Sequence, residues 1–411
     1  MRQVSRRSIL KLLAGLGTSG LTTAAMAAVL QACRSPSTNR GSPAPHGQPL
    51  GAIRAEHGKL VAADGHEVRL TGVNWFGLET PNFAPHGLWA RNWQDMLDQV
   101  EKAGFNAIRL PFSNQVLEAG SLANSMDATK NPDLLGLSGL QVMDRIVEGA
   151  GRRGLAIVLD RHRPTADAQS ELWYTDRVSE ARWIDDWTML ARRYRAQPAV
   201  IAADLHNEPH GAATWGDGNP RTDWRMAAER AGNAILSVNP DWLIVVEGVE
   251  RVGADTYWWG GNLAAARDHP VRLARPDKLV YSAHDYGPGV YPQPWFAAPD
   301  YPRNLPAIWR RHWAYLPAER IAPVLIGEFG GRSMGHDQEG TWQRSLVDFL
   351  KASGLSYTYW SWNPDSGDTG GILEDDWTTI DRTKLDVLST YQWPKLRRTT
   401  AAAPSLYRHA A

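Results

Sequence analysis

A single cysteine among 411 residues leaves no partner for an intrachain disulfide, so stability must come from packing. An excess of charge of either sign is missing too. The 44 Lys plus Arg balance 44 Asp plus Glu, which excludes the basic footprint of a nucleic-acid binder and the acidic surplus of a solvating tail. The expected partner is uncharged. No Gly-rich phosphate loop follows the first apolar run, and no His-x-x-x-His pair or comparable carboxylate spacing marks a metal site. Asp365 and Asp368 sit in a Gly-rich loop, but the ligand ladder and closing glutamate of a calcium loop are absent there. The chain therefore reads as needing neither cofactor nor metal.

Tryptophan is plentiful: 19 residues, with 12 tyrosines, exceed what a core of this size needs. Flat rings with one polar edge suit ligand grooves as well as cores. With 43% hydrophobic content the chain can fill one large core. Ahead of that core, Ser5-Arg6-Arg7-Ser8-Ile9-Leu10-Lys11 and the apolar stretch from Leu12 to Leu30 resemble a bacterial twin-arginine export signal. Leu30-Gln31-Ala32-Cys33 resembles a lipobox, in which Cys33 becomes the lipidated first residue of the mature chain. Such a chain is secreted, periplasmic or held at the cell envelope, touching a membrane only through its lipid. Residues 34–50 read as a flexible linker, 51–397 as one folded domain and 398–411 as a disordered tail, and the protein is expected to be a monomer.

The folded part alternates apolar runs with helical patterns. Eight runs stand out: Val68 to Trp75, Ala107 to Phe112, Ala156 to Arg161, Val200 to Asn207, Leu243 to Gly248, Leu279 to His284, Val324 to Glu328, and Tyr357 to Trp362. Amphipathic segments between them include Trp93 to Ala103, Leu140 to Arg153, Glu180 to Ala196, Asp223 to Val238 and Thr341 to Ser353. Eight such alternations predict an α/β fold, a (β/α)8 TIM barrel with enlarged loops at its C-terminal face. Asp64-Gly65 between two strand-like flanks predicts a short N-terminal β-hairpin capping the barrel bottom.

In a barrel the C-terminal strand ends share one rim, so distant residues converge there. The fourth run stops at Asn207-Glu208-Pro209 and the seventh at Glu328, placing two glutamates across the mouth. A carboxyl pair of that kind performs acid-assisted displacement at a sugar carbon, one member protonated and the other ionised. Arg109 and Tyr286 suit the task of keeping Glu328 anionic, and Glu208, beside the Asn207 amide, is expected to retain the proton. Glu247, a third strand-end carboxylate, reads as a supporting ion pair or a substrate hydrogen bond.

Asn207-Glu208-Pro209 and Gly327-Glu328-Phe329-Gly330, each after an apolar strand, resemble the acid/base and nucleophile signatures of family five glycoside hydrolases, the large cellulase family. The likeness spans roughly Gly51 to Pro394. It implies active-site roles for Arg109, His162, Asn207, Glu208, His284, Tyr286, Glu328 and Trp360. Asp160-Arg161-His162-Arg163-Pro164, Tyr257 to Leu263 and Trp360 to Gly371 are similar to the bacterial endo-β-1,4-glucanase branch, which implies cellulose or a related β-1,4-glucan as substrate. Trp75 and Trp360 at the rim, and Trp259 in a loop resembling the family's cleft, are expected to stack on sugar faces, with Trp173, Trp215 and Trp295 as outer candidates. Trp93, Trp187, Trp309 and Trp313 lie in helical patterns and are expected to pack. The alternatives are a β-mannanase or xyloglucanase using the same machinery, and a non-catalytic glycan-binding protein at the cell surface.

Overall fold

The computed structural model describes residues 52–396. The export signal, Cys33, the 34–50 linker and the 398–411 tail lie outside the described residues. The apolar runs form β1 (Thr71–Asn74), β2 (Ala107–Ser113), β3 (Ala156–Arg163), β4 (Val200–Asp204), β5 (Leu243–Glu247), β6 (Leu279–His284), β7 (Val324–Glu328) and β8 (Ser356–Tyr359). Each pairs in parallel with the next and β8 closes on β1, giving the expected (β/α)8 barrel.

Strand limits differ from the apolar runs where polar groups intervene. The first run is split. Val68 pairs back on Leu60, while the barrel strand starts at Thr71, whose N–H is taken by Asn106 Oδ1 at 2.8 Å. β4 ends at Asp204, short of Asn207, and β8 ends at Tyr359, short of Trp360.

Four of the helices begin at side-chain caps: Asn92 for Trp93–Lys102, a Ser138–Gln141 capping box for Gly139–Arg152, Ser179 for Glu180–Arg193 and Asp337 for Gln338–Ser353. The last of these ends at Gly354, left-handed at φ +69°. One connection departs from the alternation. Between β5 and β6, residues 248–278 hold only the paired strands Arg251–Val252 and Asp255–Thr256 and the 3-10 turn Pro276–Lys278. Gly260 and Gly261 within it are poor helix formers, and they allow the chain to fold over the barrel mouth.

Two apolar regions result. Ile108, Leu110, Leu159 and Ile326 face outward into the large core under the helices. Val158, Val245, Val280 and Leu325 form a separate cluster with Ile53, Leu60, Val68 and Leu70 from the N-terminal end. The expected hairpin is the greater part of a three-stranded sheet, Arg54–Glu56, Lys59–Val61 and Glu67–Val68, and its apolar side chains close the barrel bottom. The lower lumen is apolar and filled, so polar chemistry is confined to the mouth.

Candidate active site

Because side chains alternate along a strand, the outward-facing Ile108 and Leu110 of β2 turn Arg109 into the lumen. There its guanidinium is fully buried and meets four carboxylates. Nη1 lies 2.6 Å from Glu328 Oε1 and 3.1 Å from Asp160 Oδ2, Nε 2.8 Å from Asp204 Oδ2, and Nη2 3.0 Å from Glu247 Oε1. The same guanidinium donates to Asn74 Oδ1 at 3.0 Å and to Asn207 Oδ1 at 2.9 Å. This planar fork with five donors is a geometry that lysine cannot supply.

Asn207 and Glu208 are consecutive, so a regular strand would point one of them away from the mouth. The chain avoids this by ending β4 early and placing Glu208 at φ +51°, a left-handed conformation that costs a non-glycine residue roughly 1–2 kcal/mol. The Glu208 N–H then donates to Glu247 Oε2 at 2.8 Å. Its carboxylate meets His284 Nδ1 at 3.1 Å through Oε1 and accepts from Gln169 Nε2 at 3.1 Å through Oε2. Glu328, across the mouth, accepts from Tyr286 Oη at 2.6 Å through Oε2. Oxygens of Glu208 and Glu328, with a nitrogen of His284, all lie within 4.8 Å of one another.

Two cations face five carboxylates here. Burial disfavours a charge on His284, but Glu247, Glu328 and the bond to Glu208 hold its pKa well above the usual histidine range. Burial lowers His162 to about 4, so it is neutral, and its Nδ1 pairs with Asp160 Oδ2 at 2.6 Å. Burial raises Asp160 to about 7 against the pull of Arg109, with Glu247 adding to the rise. Burial likewise raises Asp204 to about 7 despite Arg109, with Asp160 adding to it.

The surroundings of Glu208 and Glu328 differ from those expected. Burial pushes Glu208 up, but the hydrogen bond and charge of His284 outweigh it and leave the group lowered. Burial raises Glu328 more than His284 and Arg109 lower it. The expected neighbour is also different: the Asn207 amide is turned toward Arg109, and its buried Nδ2 has no hydrogen-bond partner. The cationic His284 stands beside Glu208, while Glu328 is held at 2.6 Å by both Arg109 and Tyr286. Glu208 is the more open of the two, with its side chain 14% exposed against 4% for Glu328.

Three groups of these residues bring possible metal-ligand atoms within 4.8 Å: Asp160, His162 and Glu328; Glu208, His284 and Glu328; and Asp160, Asp204 and Glu247. The guanidinium of Arg109 contacts members of all three, and that fixed cation occupies the role a metal would take.

Of the expected aromatic residues, Trp360 stacks on His162 with ring centroids 5.3 Å apart and planes 8° apart, and it remains half-buried. Trp259 is 43% exposed and stacks on His210 at 3.8 Å. Trp75 is not at the rim. Its ring is fully buried and its indole N–H donates to His86 O at 3.0 Å, so it has no free face for a sugar. Trp173 is also buried, bonded to Glu180, and Trp215 is nearly so, bonded to His269 O, whereas Trp295 is half-buried. Trp93, Trp187, Trp309 and Trp313 pack in the core as expected. Sequence reading quoted Asp160 in a strand-end motif without giving it a role and missed Asp204, although an acid within an apolar run was a usable signal. It also missed Gln169, which lies in a loop without periodicity, and exposed Trp89, which contacts His86 and Trp377.

A barrel mouth holding two adjacent glutamates, a buried arginine and an exposed tryptophan defines the class as a glycoside hydrolase. The chain belongs to the cellulase family, glycosyl hydrolase family 5, whose model matches residues 61–366. It is 57% identical over 348 residues to an endoglucanase of Paenibacillus polymyxa, covering 84% of this chain and 88% of that protein. It is 44% identical to the major extracellular endoglucanase of Xanthomonas campestris pv. campestris, covering 83% of this chain and 71% of that protein. Among solved structures it resembles the endocellulase of Pyrococcus horikoshii, with a TM-score of 0.78 and 46% identity over 84% of this chain and 99% of that one.

Proposed function

We propose that this protein is a retaining endo-β-1,4-glucanase acting on cellulose or related β-glucans by double displacement. The observation that carries the reading is the pair of glutamates meeting at the barrel mouth, an oxygen of each within 4.8 Å of the other, with Glu328 held at both oxygens by Arg109 and Tyr286 as a nucleophile would be. Glu328 attacks the anomeric carbon, and the bond to the leaving oxygen breaks as Glu208 gives it a proton. Glu208 then takes a proton from water, which displaces Glu328 and restores the anomeric configuration. Arg109 and Tyr286 orient Glu328, and the unpartnered Asn207 Nδ2 is the donor for the sugar 2-hydroxyl. Trp259, 43% exposed with His210 stacked on its ring, offers a stacking face.

The glucan substrate agrees with the Pyrococcus horikoshii endocellulase having been crystallised with cellotetraose. Export is supported by the extracellular Xanthomonas relative and the twin-arginine-like N-terminus. No helix among the described residues is long and apolar enough to cross a membrane, and the lipobox-like Leu30-Gln31-Ala32-Cys33 supports a lipid on Cys33.

Trapping with an activated 2-deoxy-2-fluoro cellobioside followed by peptide mapping tests the reading. Label on the Gly327–Gly330 peptide is expected, and label elsewhere overturns the mechanism. Release of reducing sugar should be faster from carboxymethylcellulose than from galactomannan or xyloglucan, and a preference for mannan would replace the substrate assignment.

A further inference from the structure

Glu247 is fully buried at the end of β5 and belongs to no part of the proposed displacement. Its two oxygens are nevertheless divided between the two halves of the site. Oε1 lies 3.0 Å from Arg109 Nη2 and 3.3 Å from His284 Nε2, while Oε2 accepts the Glu208 N–H at 2.8 Å. That N–H belongs to the residue whose left-handed backbone lets both Asn207 and Glu208 face the mouth. The turn Trp258–Gly261 lies directly above the carboxylate: a Cβ on Gly260 would stand 2.2 Å from Glu247 Oε2 and 3.1 Å from Glu208 Cα. Glycine at φ +66° permits this approach, and the turn seals Glu247 from the cleft. Glu247 cannot touch a sugar in this arrangement, yet it reaches the backbone that aims the proton donor.

We propose that Glu247 is a positioning residue for proton transfer, anchoring the strained backbone of Glu208 so that its carboxyl faces the leaving oxygen. Without that acceptor, the Glu208 peptide loses the buried partner that holds its N–H inward, and the unit relaxes toward an ordinary strand conformation. The side chain then swings off the mouth while Glu328, held separately by Tyr286 and Arg109, keeps its place. The inference rests on Glu208 being the acid/base.

Glu247→Asp keeps the charge that Arg109 and His284 need and withdraws the acceptor from Glu208. Two substrates separate the roles: cellotetraose, whose leaving group needs a proton, and 2,4-dinitrophenyl cellobioside, whose leaving group does not. On cellotetraose, kcat/KM should fall by about 100-fold, the scale of lost general-acid assistance, and on the activated substrate by less than about tenfold. The rate of trapping by the fluorinated inhibitor should stay within the same tenfold. Equal losses on both substrates, or no loss on either, would overturn the inference. Because a shortened side chain can also loosen the fold, the variant's melting temperature is read alongside, and only the ratio between substrates is used. Glu208→Gln serves as the control. If it lacks selective loss on cellotetraose, the acid/base reading fails; if it shows that loss and Glu247→Asp does not, only the positioning role fails.

Discussion

Tyr286 donates its hydroxyl to Glu328 Oε2 at 2.6 Å, while Arg109 reaches Glu328 Oε1 at the same distance from the opposite side. The carboxylate is gripped at both oxygens and has little freedom to rotate. Tyr286→Phe removes a hydrogen bond to a charged group, worth about 1.5–3 kcal/mol, and should lower kcat/KM on an activated cellobioside by about 10- to 100-fold. The melting temperature should change little. Unchanged kinetics would mean that Arg109 alone orients the nucleophile.

Arg109→Lys should be far more disruptive than a like-charged exchange suggests. A point ammonium cannot meet Asp160, Asp204, Glu247 and Glu328 together, and uncompensated buried carboxylates cost about 3–5 kcal/mol. Urea unfolding at neutral pH should show that loss together with the disappearance of activity.

Two of the tryptophans expected to stack on sugar should separate in behaviour. Trp259→Ala removes an exposed ring and should raise KM for cellotetraose by about threefold to tenfold with little change in stability. Trp75→Ala opens a cavity in the core and should cost about 3–5 kcal/mol of stability. Comparing KM with melting temperature for both variants checks the assignment.

Asp160 and Asp204 are raised to about 7 in the fold, above the ordinary aspartate value of the unfolded chain. Each therefore favours the folded state most at low pH, and its contribution is lost as pH rises through about 7. His284, raised well above its usual range, has the same sign. Melting temperature should fall between pH 5 and pH 8, and Asp204→Asn should fall less steeply than wild type over that interval. An equally steep decline in the variant would show that Asp204 does not take up the proton.

The barrel and its two glutamates were legible because they rest on local signals: apolar runs of strand length, helical periodicity, and a carboxylate ending each of two strands. What escaped the sequence depends on backbone direction and on neighbours. Trp75 follows a barrel strand, as Trp360 does, and only the fold shows one ring turned into the core and the other toward His162. The Asn207 amide was expected beside the Glu208 carboxyl, but the group there is His284, 76 residues away in sequence. No spacing rule gives such a contact. The same holds for Asp204, an inward neighbour of Arg109 across the barrel.

The sheet that plugs the lower lumen makes the barrel a vessel with one opening. Water for the second displacement must therefore enter by the path the departing sugar has just vacated. A glycosyl-enzyme here is exposed to whichever hydroxyl reaches that vacated half first, and at high oligosaccharide concentration that hydroxyl belongs to another sugar. The closed floor thus leaves the partition between cutting and re-joining chains to traffic at the mouth.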